Sequence, residues 1–125
     1  MAHRQISTDH AAPPGGPYSQ GIVAGNLVFL AGQVPMDAGG AVVEGGFEAQ
    51  ARRAFDNLAA VAEAAGASLR DAVRVGVYLR DMAHFATMNE VFAEYFGDPP
   101  PVRTTLPVDL RGFEIEVDAI LALER

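Results

Sequence analysis

Two residues near the C-terminus have the chemistry of a small-anion site. Arg103 follows the run Pro99-Pro100-Pro101 at the start of one extended segment, and Glu116 lies on the next, read as antiparallel to the first. A planar guanidinium offers a two-point grip on a carboxylate. A second carboxylate nearby can orient a water or move a proton. Together they suit a small anionic substrate that reacts with water. The pair also fits a purely structural role, a cross-strand ion pair contributing about 0.2–1 kcal/mol, and spacing alone favours that plainer reading.

Other chemistries fare worse. Glu114, Glu116 and Asp118 alternate along a strand, and three carboxylates at period two read as a solvated strand face before a metal site. His3, His10 and His84 show no ligand spacing, and His84 reads as a surface residue on a helix. Ser7, Ser19 and Ser68 lack a nucleophile elbow. Gly45-Gly46 precedes a helix, as phosphate loops do, but no lysine follows and Glu48 repels an anion, so it reads as a turn into the helix. There is no dinucleotide fingerprint. The nine basic residues of the chain are all arginine, which excludes Schiff-base chemistry, and the absence of cysteine excludes disulfides, thiolate metal sites and cysteine nucleophiles.

The elements that must hold Arg103 and Glu116 follow from periodicity. The chain reads as loop up to Pro17, extended from Tyr18 to Val23, and as a strand over Asn26–Gln33 after a Gly25-Asn26 turn. Residues 35–46 are turn-rich, with Gly39-Gly40 placed to close a short hairpin. Phe47, Ala51, Ala54, Phe55, Leu58, Val61, Ala62 and Ala65 share one stripe of a helix over 47–65, with Gln50, Arg53, Asp56, Asn57 and Glu63 on its wet side and Gly66 ending it. Over 72–80, Val73, Val75, Val77 and Leu79 alternate with polar or small residues, as a strand does. Asp81 caps a second helix over 82–96 whose stripe of Phe85, Met88, Phe92 and Tyr95 or Phe96 reads as core. Strands over 102–108 and 113–123 close the chain, the last with Phe113, Ile115, Val117, Ala119, Leu121 and Leu123 facing one way. Strands, helix, strand, helix, strands is the order of an α+β domain with two helices on one face of a mixed sheet.

With 125 residues and 50% hydrophobic content, one globular domain over residues 1–125 is expected. The net charge of −7 and the lack of lysine argue against nucleic acid as a partner. Met1–Ile6 has no signal-like apolar core and no stretch is long enough for a membrane span, so the expectation is a cytoplasmic protein that does not engage membranes.

Several segments resemble the reactive-intermediate deaminase family (RidA/YjgF): Gly16-Pro17-Tyr18-Ser19-Gln20-Gly21, Asn26 to Pro35, Asn57-Leu58, Ala64 to Leu69, Val77 to Met82, Asn89-Glu90-Val91-Phe92, Pro101-Val102-Arg103-Thr104 and Glu114 to Ile120. The resemblance runs from about Pro14 to Leu121. It implies a chorismate-mutase-like (YjgF-like) α+β fold, with a mixed six-stranded sheet and two helices packed on one face. It implies homotrimers with sites in clefts between subunits, and hydrolysis of enamine and imine intermediates, such as 2-aminoacrylate and 2-iminopropanoate, to a 2-keto acid and ammonia with no cofactor or metal. Position by position, Arg103 matches the arginine that grips the substrate carboxylate and Glu116 the glutamate that places the attacking water. Tyr18 matches an aromatic lining the cleft, and Asn89 an asparagine near the pocket. Thr105 stands where many members have a cysteine whose backbone carbonyl contacts the site. Ala31, beside the substrate-binding Gly32, replaces a common serine and lacks its hydroxyl, and the Pro99–Pro101 stretch is shorter than in many relatives. Two rival functions stay open: a non-catalytic ligand-binding or regulatory trimer, and a ribonuclease or chaperone.

Overall fold

The computed structural model describes residues 3–123; Met1 and Ala2, which open the N-terminal reading above, lie outside them. The elements are β1 (Arg4–Ile6), β2 (Gly21–Ala24), β3 (Leu27–Gln33), α1 (Phe47–Ala64), β4 (Ala72–Leu79), α2 (Phe85–Tyr95), β5 (Val102–Pro107) and β6 (Ile115–Ala122). They form one mixed six-stranded sheet in the order β1-β2-β3-β6-β4-β5. Both helices cover one face, as the element order requires. The short strand β1 falls in a segment read as loop: three residues of mixed polarity carry no usable period, and pairing with β2 makes them a strand.

Local chemistry accounts for the boundaries. Gly25, at φ 61°, turns β2 back onto β3, and Ala24 pairs with Leu27. Asp37 accepts from the amides of Gly39 and Ala41, which closes the small hairpin whose bridge joins Met36 to Val42. After α1, Gly66 takes φ 79°, a left-handed conformation that stops a helix and suits a residue without Cβ. Asp81 caps as expected, accepting from the Ala83 amide, but it caps a single 3₁₀ turn over Met82–His84, and the α-helix proper begins at Phe85.

The core lies between the helices and one sheet face. Phe55, Leu58 and Val61 of α1 and Met88 and Val91 of α2 meet Val28, Val75, Val77, Leu79, Ile115, Val117 and Leu121 of the sheet. Two strand residues depart from simple alternation. Val73 is exposed because the register slips between Ala72 and Arg74 against β6, leaving it as the extra residue of a bulge. A similar slip on β3 places three steps from Leu30 to Gln33 against two from Ala119 to Val117.

Asn57 reverses its reading as a wet-side residue. It is 0% exposed, because its Nδ2 donates to the carbonyls of Val34 (3.0 Å) and Met36 (2.8 Å). This one amide ties α1 to the chain leaving β3. Asn57→Ala leaves two carbonyls without their donor and is expected to cost about 1–3 kcal/mol, read as a lower denaturation midpoint with an unchanged m-value.

Candidate active site

Arg103 and Glu116 are not cross-strand neighbours. The connection from β4 through α2 lays β5 parallel to β4, with Val75 opposite Arg103, while β6 inserts on the other side of β4, with Tyr78 opposite Glu116. Strand β4 therefore separates them. The register also settles the faces. Paired residues share a face and successive residues alternate, so positions 75 and 78 point in opposite directions. Arg103 lies on the helix side of the sheet and Glu116 on the open side. The expected antiparallel pair fails because the long α2 crossover takes the parallel slot beside β4.

On the helix side, Arg103 sits at the free edge of the sheet under α2. Its guanidinium carbon lies 4.8 Å from the Phe92 ring centroid and 5.5 Å from that of Phe85, and Nη1 is 3.7 Å from Met88 Sδ. Such contacts hold a cation while engaging only one of its nitrogens, in a weak N–H donation to sulfur. Among the described residues Arg103 has no carboxylate partner, and burial pulls its pKa below the usual arginine value. Phe85, Met88 and Phe92 were all read as core. Phe85 is in fact 39% exposed and serves the arginine, and the spacing that marks a core stripe marks such a seat equally well. Asn89 lies on the same helical stripe, and its Oδ1 is buried with no hydrogen-bond partner. Thr105 follows two residues along β5 on Arg103's face, half-buried opposite Val77.

On the open side, Glu116 lies over Gly32, where even a single Cβ would run into its carboxylate. Ala31 and Gly32 occupy the β3 bulge. Among the described residues Glu116 has no hydrogen-bond donor or ion-pair partner. Burial, and then the charge of Asp118, raise its pKa above the usual carboxylate value. The acidic row is not a uniform solvated face. Asp118 is held by Arg74, Tyr78 and the Gly76 amide, and Glu114 faces Arg80 at 3.5 Å and His84 at 3.7 Å. His84, read as a surface residue, stacks on Phe47 with ring centroids 4.3 Å apart. Tyr18 stands in the loop before β2, half exposed, its hydroxyl accepting from the Gly15 amide.

Two surface hollows, of about 290 and 300 Å³, lie along the N-terminal segment and touch neither Arg103 nor Glu116. Thr8 lines both; one is completed by His10 and by Ala60, Glu63 and Ala64 of α1, the other by the N-terminal loop and Gln20. One protomer thus keeps two polar features apart: an arginine with an aromatic seat at the sheet edge, and, on the open face, a carboxylate with no partner among the described residues.

The architecture defines an α+β domain with its helices on one face and a helix-free sheet surface on the other. A family model described as Endoribonuclease L-PSP matches residues 8–123. A RutC family protein of Pyrococcus horikoshii is 48% identical over 118 residues, covering 92% of this chain and 94% of that one. A 2-iminobutanoate/2-iminopropanoate deaminase of Dermatophagoides farinae is 39% identical over 124 residues, 97% of each chain. The crystal structure of RidA from an Antarctic Psychrobacter superposes with a TM-score of 0.90 at 38% identity, over 96% of this chain and 99% of that one. The chain belongs to the YjgF/RidA family.

The half-buried, unpaired Glu116 has a stability signature. A carboxyl whose pKa is raised by folding stabilises the fold below its unfolded value of about 4.3, and that contribution is lost as pH rises through the folded value. Ionised Glu116 is therefore a burden at neutral pH. Glu116→Gln is expected to raise Tm at pH 7, with the gain disappearing below about pH 4; thermal scans across pH measure both.

Proposed function

We propose that the protein is a deaminase that hydrolyses small 2-imino acids and their enamine tautomers to 2-keto acids and ammonia, in sites completed between subunits of a homotrimer. The observation that carries this reading is the pair of half-sites: an arginine without a carboxylate and a glutamate without a donor among the described residues, on opposite faces of one sheet. Neither group is neutralised by an ion pair among the described residues, and lying on opposite faces of the sheet they do not converge within one protomer. A second copy, docked with its open face toward the first copy's sheet edge, brings them together. The open face carries exposed Val102 (68%), Leu106 (48%) and Phe29 (41%), apolar surface suited to such an interface. The relative named as a 2-iminobutanoate/2-iminopropanoate deaminase supports the substrate class.

The chemistry asks little of the protein. Arg103 takes the substrate carboxylate through two N–H donors, its plane set by Phe85 and Phe92. Protonated at nitrogen, the imine is already electrophilic at carbon. Glu116 accepts a proton from a water as the water oxygen bonds to that carbon, giving a carbinolamine. The proton passes to the nitrogen, Glu116 takes the hydroxyl proton as the C=O forms and the C–N bond breaks, and the ammonia that leaves takes up that proton as ammonium and restores the carboxylate. Atoms balance as imino acid plus water to keto acid plus ammonia, with no redox step. Tyr18, Ala31, Gly32, Asn89 and Thr105 line the cleft in this reading. The buried Oδ1 of Asn89 suits a donor on the substrate, and Ala31 leaves the Glu116 side of the cleft without a hydroxyl.

The family model's description names an endoribonuclease, but a charge of −7 without lysine suits a phosphate backbone poorly. The assay is release of ammonia and keto acid while a dehydratase generates 2-aminoacrylate. Arg103→Ala is expected to lower kcat/KM about 10²–10³-fold, the worth of two charge-assisted hydrogen bonds. Keto-acid binding without turnover in the parent protein would favour a regulatory trimer, and RNA degradation that tracks Arg103 would favour the nuclease.

The shared site has its own test. Co-expressed Arg103→Ala and Glu116→Ala chains, each inactive alone, are expected to recover about one quarter of parental activity, because random mixing pairs an intact Arg103 with an intact Glu116 at that fraction of interfaces. A site within one protomer recovers nothing.

A further inference from the structure

The open face of the sheet carries a second polar cluster beside Glu116. Asp118 is two residues along β6 on the same face. Its Oδ1 accepts from Arg74 Nη1 and from the Gly76 amide, each at 3.1 Å, and its Oδ2 accepts from the Tyr78 hydroxyl at 3.1 Å. The space they meet in exists because position 76 is glycine. A Cβ there would come within 2.6 Å of the Tyr78 hydroxyl and 2.8 Å of the Arg74 guanidinium, and would strike Asp118 as well. Tyr78 is also the cross-strand partner of Glu116. Asp118 therefore has three donors fixing both of its oxygens, and among the described residues Glu116 has none.

We propose that Asp118, clamped by Arg74, Tyr78 and the Gly76 amide, is a positioning residue that sets the protonation of Glu116 by holding a fixed negative charge beside it. The inference rests on the reading of Glu116 as the group that takes a proton from water. Two residues along a strand span about 6.6 Å, inside the screening length of about 8 Å at physiological salt, so the field of Asp118 reaches Glu116. The groups facing Glu116 are few. From β3 come Ala31 and Gly32, uncharged; from β4 come Tyr78, whose own pKa is raised by burial and by Asp118, and Arg74, paired with Asp118; along β6 come Asp118 and, two residues the other way, Glu114, which is engaged by Arg80 and His84; in the proposed assembly the Arg103 of a second copy faces it as well, and it is common to every variant compared below. Burial makes Glu116 hold its proton to higher pH, repulsion from Asp118 adds to that, and Arg74 tempers the repulsion. The arrangement thus contains a charge that pushes and a cation that limits the push.

The opposed signs make the test. The carboxyl carbon of Glu116 is followed by NMR titration in the assembled protein, its signal assigned by its loss in Glu116→Gln. Asp118→Asn, which keeps the shape and can still accept hydrogen bonds, is expected to move the midpoint to lower pH. Arg74→Gln, which frees the field of Asp118, is expected to move it to higher pH. Asp118→Glu restores the charge and should bring the midpoint back toward the parental value. The acid limb of kcat/KM should move in the same sense in each variant. A midpoint unmoved in Asp118→Asn, or one that Asp118→Asn and Arg74→Gln displace in the same direction, overturns the inference. Should Asp118→Asn fail to fold, the sign of the Arg74→Gln displacement decides, an unmoved or lowered midpoint counting against it. The titration needs no turnover, so a parent protein that does not hydrolyse imines refutes the functional reading while leaving this measurement to stand or fall by itself.

Discussion

Placing a cation in a partly apolar setting without giving it a counter-ion is costly, and the fold is organised around doing so. Burial penalises the charge of Arg103, and an adjacent carboxylate would relieve that penalty but would also occupy the donors. Two aromatic faces and a thioether hold the guanidinium instead. That seat dictates much else. Phe85, Met88 and Phe92 must share a helix face, so α2 must be regular from Phe85 onward. The helix lies across the sheet edge, where β5 is the edge strand, parallel to β4 and reached by a crossover.

Glu116 shows the complementary solution for an anion. Removing Cβ at position 32 makes room for its carboxylate, and the β3 bulge brings that glycine beneath it. The neighbouring carboxylate, Asp118, takes the local donors. A donor-poor setting for one acid and a donor-rich setting for the next, on the same strand face, gives two chemically similar groups different environments.

Much of this was legible in the residues, and what was not had a common cause. Helix α1 was readable from a stripe that recurs over eighteen residues, and its end from Gly66. The last strand was readable because Ile115, Val117, Ala119 and Leu121 alternate without interruption. The family frame and the pairing of Arg103 with Glu116 as candidates came from local motifs, which survive without knowledge of strand order. Strand order itself is a long-range property. Nothing local told that β6 would insert between β3 and β4, and hence that the two candidates would face opposite ways. Asn57 was misplaced because a polar residue beside a stripe looks solvated until the carbonyls it satisfies are known. Val73 was misplaced because one extra residue in a bulge inverts the pattern without altering composition. His84 and Phe85 lie at the start of α2, where the helical period has too few turns to assign a side.

The two-faced layout has a consequence for the newly made chain. Under the proposed arrangement a lone protomer, however well folded, holds only half of each reaction centre and is silent. Catalytic capacity then rises with a higher power of protein concentration at high dilution, where association is incomplete, and becomes linear once the assembly saturates. Mass action on the subunits would act as a threshold, so that synthesis and dilution, rather than any effector, decide when the hydrolytic capacity exists.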